Sequence, residues 1–247
     1  MTKKLKFYKG DMLECEIYKL VDFYDPILKE PTVPFKLETH DDFERARYVA
    51  FSLAETLSEH EGLGLSANQV GMNERVCAIN MGAEIWTLFN PVITSRSLTP
   101  STYQEGCLSY PGLYLTVKRS ERITVKFQAV GGQWVEQEFT GLTAVVIQHE
   151  LDHLDGVLFT DKVSSIKLEQ AKRKVKKNIK KMQIYLRERK VQKAQEEQQM
   201  VISEKQKLKP IASDVVPSIQ ILEPIQTQTQ KPAEVDPGKF VYKVETA

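Results

Sequence analysis

The sequence predicts an α+β fold in which antiparallel or mixed strands pack around a central helix, with a long helix at the carboxyl end. Three observations predict it. Short strand-like runs separated by turn signals fill residues 75–140, and a helical segment without a breaker follows at 141–154. A helical pattern then resumes at about residue 165 and continues to about 209. The length of 247 residues suits one folded core with an extension.

The order of the elements follows from local patterns. Residues 1–38 are expected to be an irregular start, because prolines interrupt them at three places. A helix is expected from His40 to the glycine at 62, followed by the glycine-rich turn GLGLSANQVG. The strand-like runs are RVCAINM, EIWTLFNPVI, LYLTVKR, RITVKFQAV and WVEQEFT, and Gly131-Gly132 suggests a hairpin between the last two. Thr140 suits the N-cap of the next helix and Gly156 its end.

Composition limits the class of protein. Hydrophobic residues make up 41% and charged residues 27%, as in a water-soluble globular protein, and no apolar run reaches the roughly 18 residues that span a bilayer. The first residues lack the apolar block of a signal peptide. Three widely spaced cysteines, an odd number, argue against a disulfide framework and for a reducing compartment. We therefore expect a cytoplasmic protein.

Charge is distributed unevenly along the chain. Residues 162–193 contain 13 Lys or Arg and two acids, whereas the rest of the chain has a net charge of −10. Beyond residue 210 the sequence is rich in Pro and Gln without periodicity. The expected organisation is a catalytic domain at 1–163, a basic helical arm at 164–209 and a disordered tail at 210–247.

The central helix carries the segment QHELDH at 148–153. Histidines four residues apart point the same way on a helix, so His149 and His153 suit a shared metal ion, with Glu150 near enough to act on a bound water. The alternative is a pair of ordinary polar residues. A metallopeptidase of this type needs a third ligand, but Phe159 stands where one subclass has histidine, and Glu169 lies on the basic arm. Cys107, in the polar segment EGCLSYPG, is a third ligand of a suitable kind.

Three segments together resemble the signature motifs of the peptide deformylase family. They are GLGLSANQ (62–69), EGCLS (105–109) and QHELDH (148–153), and the similarity extends over about residues 20–185. The resemblance implies hydrolysis of the formyl group from N-formylmethionyl nascent polypeptides, with release of formate. Ser66 departs from the alanine common in the family, which we expect to be neutral. Tyr114 stands where some members have arginine.

The resemblance also implies a role for individual residues. It implies one divalent metal ion, Fe(II) in preference to Zn(II) or Ni(II), on Cys107, His149 and His153, so that the central helix is a metal-binding helix. Glu150 corresponds to the catalytic acid and base, and Gln69 and the Leu108 N–H to the donors that face the substrate oxygen. Glu105 and Arg119 correspond to a supporting ion pair. The expected substrate-binding residues are Leu63 and Gly64, by strand addition, and Leu142, Val145 and Val146, around the methionine side chain.

The basic arm resembles the helix by which bacterial deformylases bind the ribosome near the exit of the nascent chain. Clustered Lys and Arg attract phosphate backbones, so ribosomal RNA or proteins are the expected partner, with no DNA or membrane partner. Two alternatives to the enzyme remain. One is a non-catalytic ribosome- or RNA-binding protein on a deformylase scaffold, and the other is an HExxH metallopeptidase.

Overall fold

The computed structural model describes residues 2–8 and 11–207, and its elements give an α+β fold, as predicted. A first hairpin joins β1 (Thr2–Tyr8) to β2 (Asp11–Ile17), and α1 follows at His40–Glu59. The remaining strands are β3 (Gly64–Ser66), β4 (Val76–Asn80), β5 (Ile85–Arg96), β6 (Pro100–Cys107), β7 (Tyr110–Ser120), β8 (Arg122–Gln128) and β9 (Trp134–Thr140). Two helices complete the chain, α2 (Gly141–Leu154) and the long α3 (Ser165–Lys207).

The main sheet is antiparallel and has the strand order β3-β4-β5-β8-β9. Strands β6 and β7 form a separate hairpin. Strand β4 has alternate residues in two hydrophobic clusters, because successive side chains of a strand point to opposite faces. Val76 and Ala78 pack with α1, whereas Cys77 and Ile79 pack with α2. The two helices therefore cover opposite faces of the sheet, and α2 is held in the interior.

The predicted helices are present with small differences at their ends. Helix α1 begins with a capping box between Thr39 and Asp42. Thr140 occupies the N-cap position of α2, but its hydroxyl makes no capping bond within the described structure. Gly156, with a φ of 72°, follows the end of α2 in the left-handed region where glycine is favoured.

The five predicted strands are all present, but four others were missed. The expectation of an irregular start at residues 1–38 was wrong for the first part, since β1 and β2 pair there as an antiparallel hairpin, whereas residues 18–38 are irregular apart from a short 3-10 turn at Pro26–Lys29. The end of β2 is fastened to α1, where the Ser52 hydroxyl accepts from the Glu16 N–H at 3.0 Å and the Thr56 hydroxyl from the Tyr18 N–H at 2.9 Å. Such contacts between distant segments leave no local pattern in the sequence. Strands β3 and β6 were missed because both are rich in polar residues and glycine.

The long helix α3 belongs to two compact units. The first unit reaches to Lys190, and there Leu168, Ala171 and Val175 pack against a cluster formed by β7 and Phe159. Of the second unit, the structure describes the helical residues from Val191 to Lys207. The expected tail at 210–247 lies outside the described residues. Within the described part of the chain, none of the helices is long and apolar enough to cross a membrane.

Candidate active site

Helix α2 brings His149 and His153 into the interior on one face, and both are buried. The residue before the pair fixes this helix against the hairpin. The Gln148 side chain accepts from the Ser120 N–H at 3.1 Å and donates to the Ser120 carbonyl at 2.9 Å. The side-chain amide of Gln148 thus bonds both the N–H and the carbonyl of Ser120, at the end of β7. These two bonds fix the position of the two histidines relative to the hairpin.

The carboxyl end of β6 supplies Cys107. The pairing of these strands shifts register between Glu105 and Cys107, which turns the cysteine toward α2. Its Sγ lies 3.2 Å from Nε2 of His153. One donor atom each from Cys107, His149 and His153 lies within 4.8 Å of the others.

These three side chains fit a divalent metal ion. Zinc–sulfur and zinc–nitrogen bond lengths place two ligands of a tetrahedral ion roughly 3.5 Å apart, close to the observed separation. The surroundings of His149 also stabilise positive charge, whereas burial and the neighbouring His149 lower the pKa of His153 well below its usual value and keep that imidazole neutral. Burial by itself would lower the pKa of His149, but hydrogen bonds with Cys107 and Glu105 outweigh it and raise that pKa to about 10. A cation bound between the donors takes the place of this proton, so the donor set suits a metal.

A chain of ion pairs supports His149 on the Nδ1 side of its ring. The Nδ1–H of His149 donates to Glu105 at 2.9 Å, and Arg119 donates to both oxygens of Glu105 at 2.7 and 2.9 Å. Arg119 also pairs with Asp152, which is 3.0 Å from Lys162. Burial alone would raise the pKa of Glu105, but the bonds from Arg119 and His149 lower it to about 2. Glu105 is therefore ionised and orients the imidazole ring.

Glu150 lies on the same helix and faces the cleft. It is 3% exposed, and burial raises its pKa to about 7. Within the described structure, its Oε2 has no hydrogen-bond partner. The backbone of Gly64 passes so close that a Cβ there would overlap the Glu150 carboxylate. A carboxyl group with a pKa near neutrality and one free oxygen suits proton transfer.

Gln69 is held with its amide nitrogen toward Cys107. Its Oε1 accepts from the Ser66 N–H at 2.9 Å and from the Ser66 hydroxyl at 2.8 Å. Its Nε2 lies 3.1 Å from the Ser109 hydroxyl and 3.4 Å from the Cys107 sulfur. Leu108 lies between Cys107 and Ser109 in the turn that closes the hairpin, so its amide is at the same end of the cleft.

All the expected substrate-binding residues line one cleft of about 400 Å³, together with Gln69, Cys107, His149 and Glu150. Val145 is buried in its wall, whereas Leu63 and Leu142 are about half exposed on its rim. A larger groove of about 850 Å³, between α1 and the sheet, contains none of these side chains. The chemistry is therefore concentrated in the smaller cleft.

Several residues that contact the expected site residues were not singled out from the sequence. Ser66 was expected to be equivalent to alanine, but its hydroxyl bonds to Gln69. The Ser109 hydroxyl accepts a hydrogen bond from the nitrogen of the same amide. Asp152 stands inside the QHELDH motif, which was a usable signal, whereas Lys162 gave no signal because it belongs to no motif and pairs with a residue ten positions away.

An HExxH helix buried beside a thiol defines the class of metal-dependent hydrolases. Comparison with known proteins narrows the class. The family model for polypeptide deformylase matches residues 17–169. A peptide deformylase of Alkalilimnicola ehrlichii is 41% identical over 170 residues, which cover 66% of this chain and 91% of the relative. One of Thermotoga maritima is 36% identical over 154 residues, which cover 61% and 90%.

Solved structures agree with the sequence comparison. A peptide deformylase from Legionella pneumophila matches with a TM-score of 0.60 and 35% identity, covering 68% of this chain and 98% of that one. One from Synechococcus elongatus, in complex with actinonin, matches with a TM-score of 0.58 and 35% identity, covering 64% and 85%. This chain belongs to the polypeptide deformylase family.

The family assignment confirms the predicted function class. The chain is an enzyme, a metal-dependent amide hydrolase of the peptide deformylase type. Neither alternative, the non-catalytic RNA-binding protein or the HExxH metallopeptidase, finds support in the comparisons. A divalent metal as cofactor agrees with both the family and the Cys-His-His donor set.

Proposed function

We propose that the cleft residues of this chain hydrolyse the formyl group of N-formylmethionyl nascent polypeptides, releasing formate and a free amino terminus. One observation carries the proposal. The donor atoms of Cys107, His149 and His153 lie within 4.8 Å of one another, and two of these residues, Cys107 and His149, line a cleft that Glu150 and Gln69 also line. A formamide is a poor electrophile, so its hydrolysis needs an activated water and a place for the negative charge that develops on oxygen.

Cys107, His149 and His153 are the proposed metal ligands, with Glu105 and Arg119 holding His149 in its orientation. When bound, the metal supplies a Lewis acid that lowers the pKa of water and polarises a carbonyl group. Fe(II) is the proposed native ion. Zn(II) and Ni(II) are the proposed substitutes, because thiolate and imidazole ligands suit these ions as well.

Glu150 is the proposed proton carrier. Its carboxylate accepts a proton from the attacking water and then donates it to the departing amine. Gln69 Nε2 and the Leu108 N–H donate hydrogen bonds to the formyl oxygen as negative charge develops on it. Each such donor contributes roughly 3 kcal/mol in comparable enzymes. The Ser66 hydroxyl keeps the amide of Gln69 in this orientation, since it binds the oxygen end.

The cleft is also the proposed peptide site. The edge of β3 at Leu63 and Gly64 binds the backbone of the substrate by strand addition. Leu142, Val145 and Val146 lie one to two helical turns before His149 and pack around the methionine side chain. All five line the cleft.

The direct test is anaerobic hydrolysis of formyl-Met-Ala-Ser, followed by formate release. Protein is reconstituted separately with Fe(II), Zn(II) and Ni(II). We expect turnover that Cys107→Ala abolishes together with metal binding. Glu150→Gln should abolish turnover and leave the metal bound, whereas Cys77→Ala, which removes a buried thiol from the sheet, should retain both. Turnover by Glu150→Gln equal to that of the unmodified enzyme contradicts the mechanism.

The basic arm, residues 164–209, is proposed to bind the ribosome in the cytoplasm. The proposed division of the rest of the chain is a catalytic domain at 1–163 and a tail at 210–247. From Lys172 to Lys193 the cationic side chains of α3 are exposed. Co-sedimentation with ribosomes should weaken steeply as salt rises from 50 to 200 mM, by about tenfold or more for each few phosphate contacts. Replacement of lysines 174, 177 and 181 by glutamine should weaken co-sedimentation by about tenfold or more and preserve hydrolysis of the free peptide. Binding that persists at high salt after these replacements refutes this role.

A further inference from the structure

Three buried side-chain atoms have no hydrogen-bond partner within the described part of the chain. They are Oε2 of Glu150, Oδ1 of Asn68 and Nδ1 of His153. The Glu150 oxygen belongs to a residue that lines the cleft, where the proposed proton transfer takes place. The other two atoms have no part in that mechanism. Because buried polar atoms are nearly always bonded to protein or to an internal water, these two indicate a further interaction beside the proposed metal ligands.

The imidazole of His153 needs a hydrogen-bond acceptor at Nδ1. Its other ring nitrogen, Nε2, lies 3.2 Å from the Cys107 sulfur and therefore faces the shared donor set. A neutral imidazole has one N–H, so a ring that binds a metal through Nε2 carries its hydrogen on Nδ1. The companion ligand His149 has such an acceptor, since its Nδ1–H donates to Glu105 at 2.9 Å. His153 is just as deeply buried, at 1% exposed, and its acceptor has to be found elsewhere.

Asn68 carries an unpaired acceptor and already bonds to His153. It is fully buried in the short 3-10 turn Ala67–Val70, and its Nδ2 donates to the His153 carbonyl at 2.6 Å. A carbonyl group only accepts, so the amide nitrogen has to face it, and the amide oxygen Oδ1 is left for another donor. An acceptor without a donor and a donor without an acceptor thus belong to two residues in direct contact.

An internal water is the group that can satisfy both atoms. Oδ1 of Asn68 and Nδ1 of His153 are not within hydrogen-bond distance of each other. A water molecule both donates and accepts, and a buried water typically makes about three hydrogen bonds to polar groups that have no other partner. Asn68 does not occur among the described residues that line the peptide cleft. A water held by Asn68 is therefore distinct from the water that the reaction consumes.

We propose that Asn68 is a positioning residue for the metal site, and that its Oδ1 accepts from the Nδ1–H of His153 through one internal water. The inference rests on the ligand set of the proposed function. Asn68 orients the imidazole of His153 as Glu105 orients that of His149, but without a charge. Because Gln69 is the next residue, the bond from Asn68 to the His153 carbonyl also fixes the distance between the oxyanion donor and the second imidazole.

The test is nuclear magnetic resonance of the zinc-loaded, full-length protein with ¹⁵N-labelled histidine. His40 and His60 are exposed, so their ring N–H protons exchange too fast to be seen, and the protected ring signals belong to the two buried histidines. Glu105→Gln identifies the signal of His149, because it changes the acceptor of that ring. The remaining signal should show a cross peak to water. In Asn68→Leu its exchange with solvent should be about tenfold faster or more, with the His149 signal unchanged.

Metal affinity and kinetics give a second readout. Asn68→Leu, which keeps the shape of asparagine, should raise the zinc Kd about 10- to 100-fold in competition with a chelator. With saturating zinc, kcat for formyl-Met-Ala-Ser should fall by about tenfold and KM should change little, because Asn68 does not line the described cleft. Asn68→Ala is the second variant in case the leucine prevents folding, and it should change all readouts in the same direction. Thr56→Val removes a buried bond to the Tyr18 N–H far from the ligands, and should lower stability but leave the ring signals and the zinc Kd unchanged.

Two results would overturn the inference. One is a His153 ring proton without a cross peak to water in the unmodified protein. The other is exchange of that proton and a zinc Kd that neither Asn68 variant changes. If the unmodified protein binds zinc and shows the water-bonded proton, but hydrolyses no formyl peptide with any metal, the proposed function fails and the role of Asn68 at the metal site stands.

Discussion

The ion pair behind His149 predicts a specific dependence of stability on pH. Glu105 has a pKa of about 2 in the folded protein against an ordinary value of 4.5, and its side chain is 5% exposed. A difference of about 2.5 pKa units corresponds to about 3 kcal/mol of folding free energy. Because the folded pKa is the lower one, this contribution is complete above about pH 5 and is lost as the pH falls from 4.5 toward 2.

The perturbation is Glu105→Gln, which keeps the shape of the side chain and removes its charge. Urea unfolding of the metal-free protein should show a loss of about 3 kcal/mol at pH 7, and this loss should narrow as the pH falls to 3. A chelator is needed, because a bound ion would add its own stabilisation. Glu138→Gln, which breaks an exposed pair with Arg122 at 3.6 Å, should cost less than about 1 kcal/mol at pH 7.

A difference between the unmodified protein and Glu105→Gln that stays constant from pH 7 to pH 3 would refute the reasoning. It would mean that the cost of the glutamine is independent of the charge of the carboxylate. The same variant should bind the metal about 10- to 100-fold more weakly, because His149 loses the acceptor that fixes its ring.

Three further predictions concern close packing and thiol access. Gly64→Ala should lower kcat/KM by about 100-fold or more with little change in the melting temperature, because the new methyl group overlaps the Glu150 carboxylate; unchanged kinetics would contradict the placement. Gly156→Ala should cost more than about 1 kcal/mol in urea unfolding, since φ is 72° and the Cβ would lie 2.6 Å from the Lys29 carbonyl oxygen. Iodoacetamide should modify Cys107 in the metal-free native protein, while the two fully buried cysteines react only after unfolding, as mass spectrometry of peptides would show.

The fold was predictable where a local pattern determines the element. Helix α1 has apolar residues at a spacing of three and four and a strong start signal, and strands β7 and β8 alternate between buried and exposed residues. Strands β1, β2 and β6 are different. Each exists because it pairs with a neighbour, and the pairing partner is not visible in a short window of sequence.

The candidate site was predictable to the extent that chemistry constrains residue type. The two histidines and the glutamate share one helix, so their spacing alone indicated a half-site. Cys107 needed a further argument, because its approach to His153 depends on the register shift in the β6–β7 hairpin. The role of Ser66 could not be inferred from the sequence, since whether a serine hydroxyl meets a particular amide depends on the three-dimensional path of the turn that follows β3.

The β6–β7 hairpin and α2 meet late in the synthesis of this chain. Cys107 and His153 are 46 residues apart, and the sheet strands β8 and β9 lie between them. A growing chain therefore completes most of the sheet before the last ligand candidate leaves the ribosome, and no shorter fragment brings the thiol and both imidazoles together. With the proposed ligand set, each new copy of the enzyme binds its ion only after its own synthesis has passed residue 153, so its first catalytic cycle waits for its own folding.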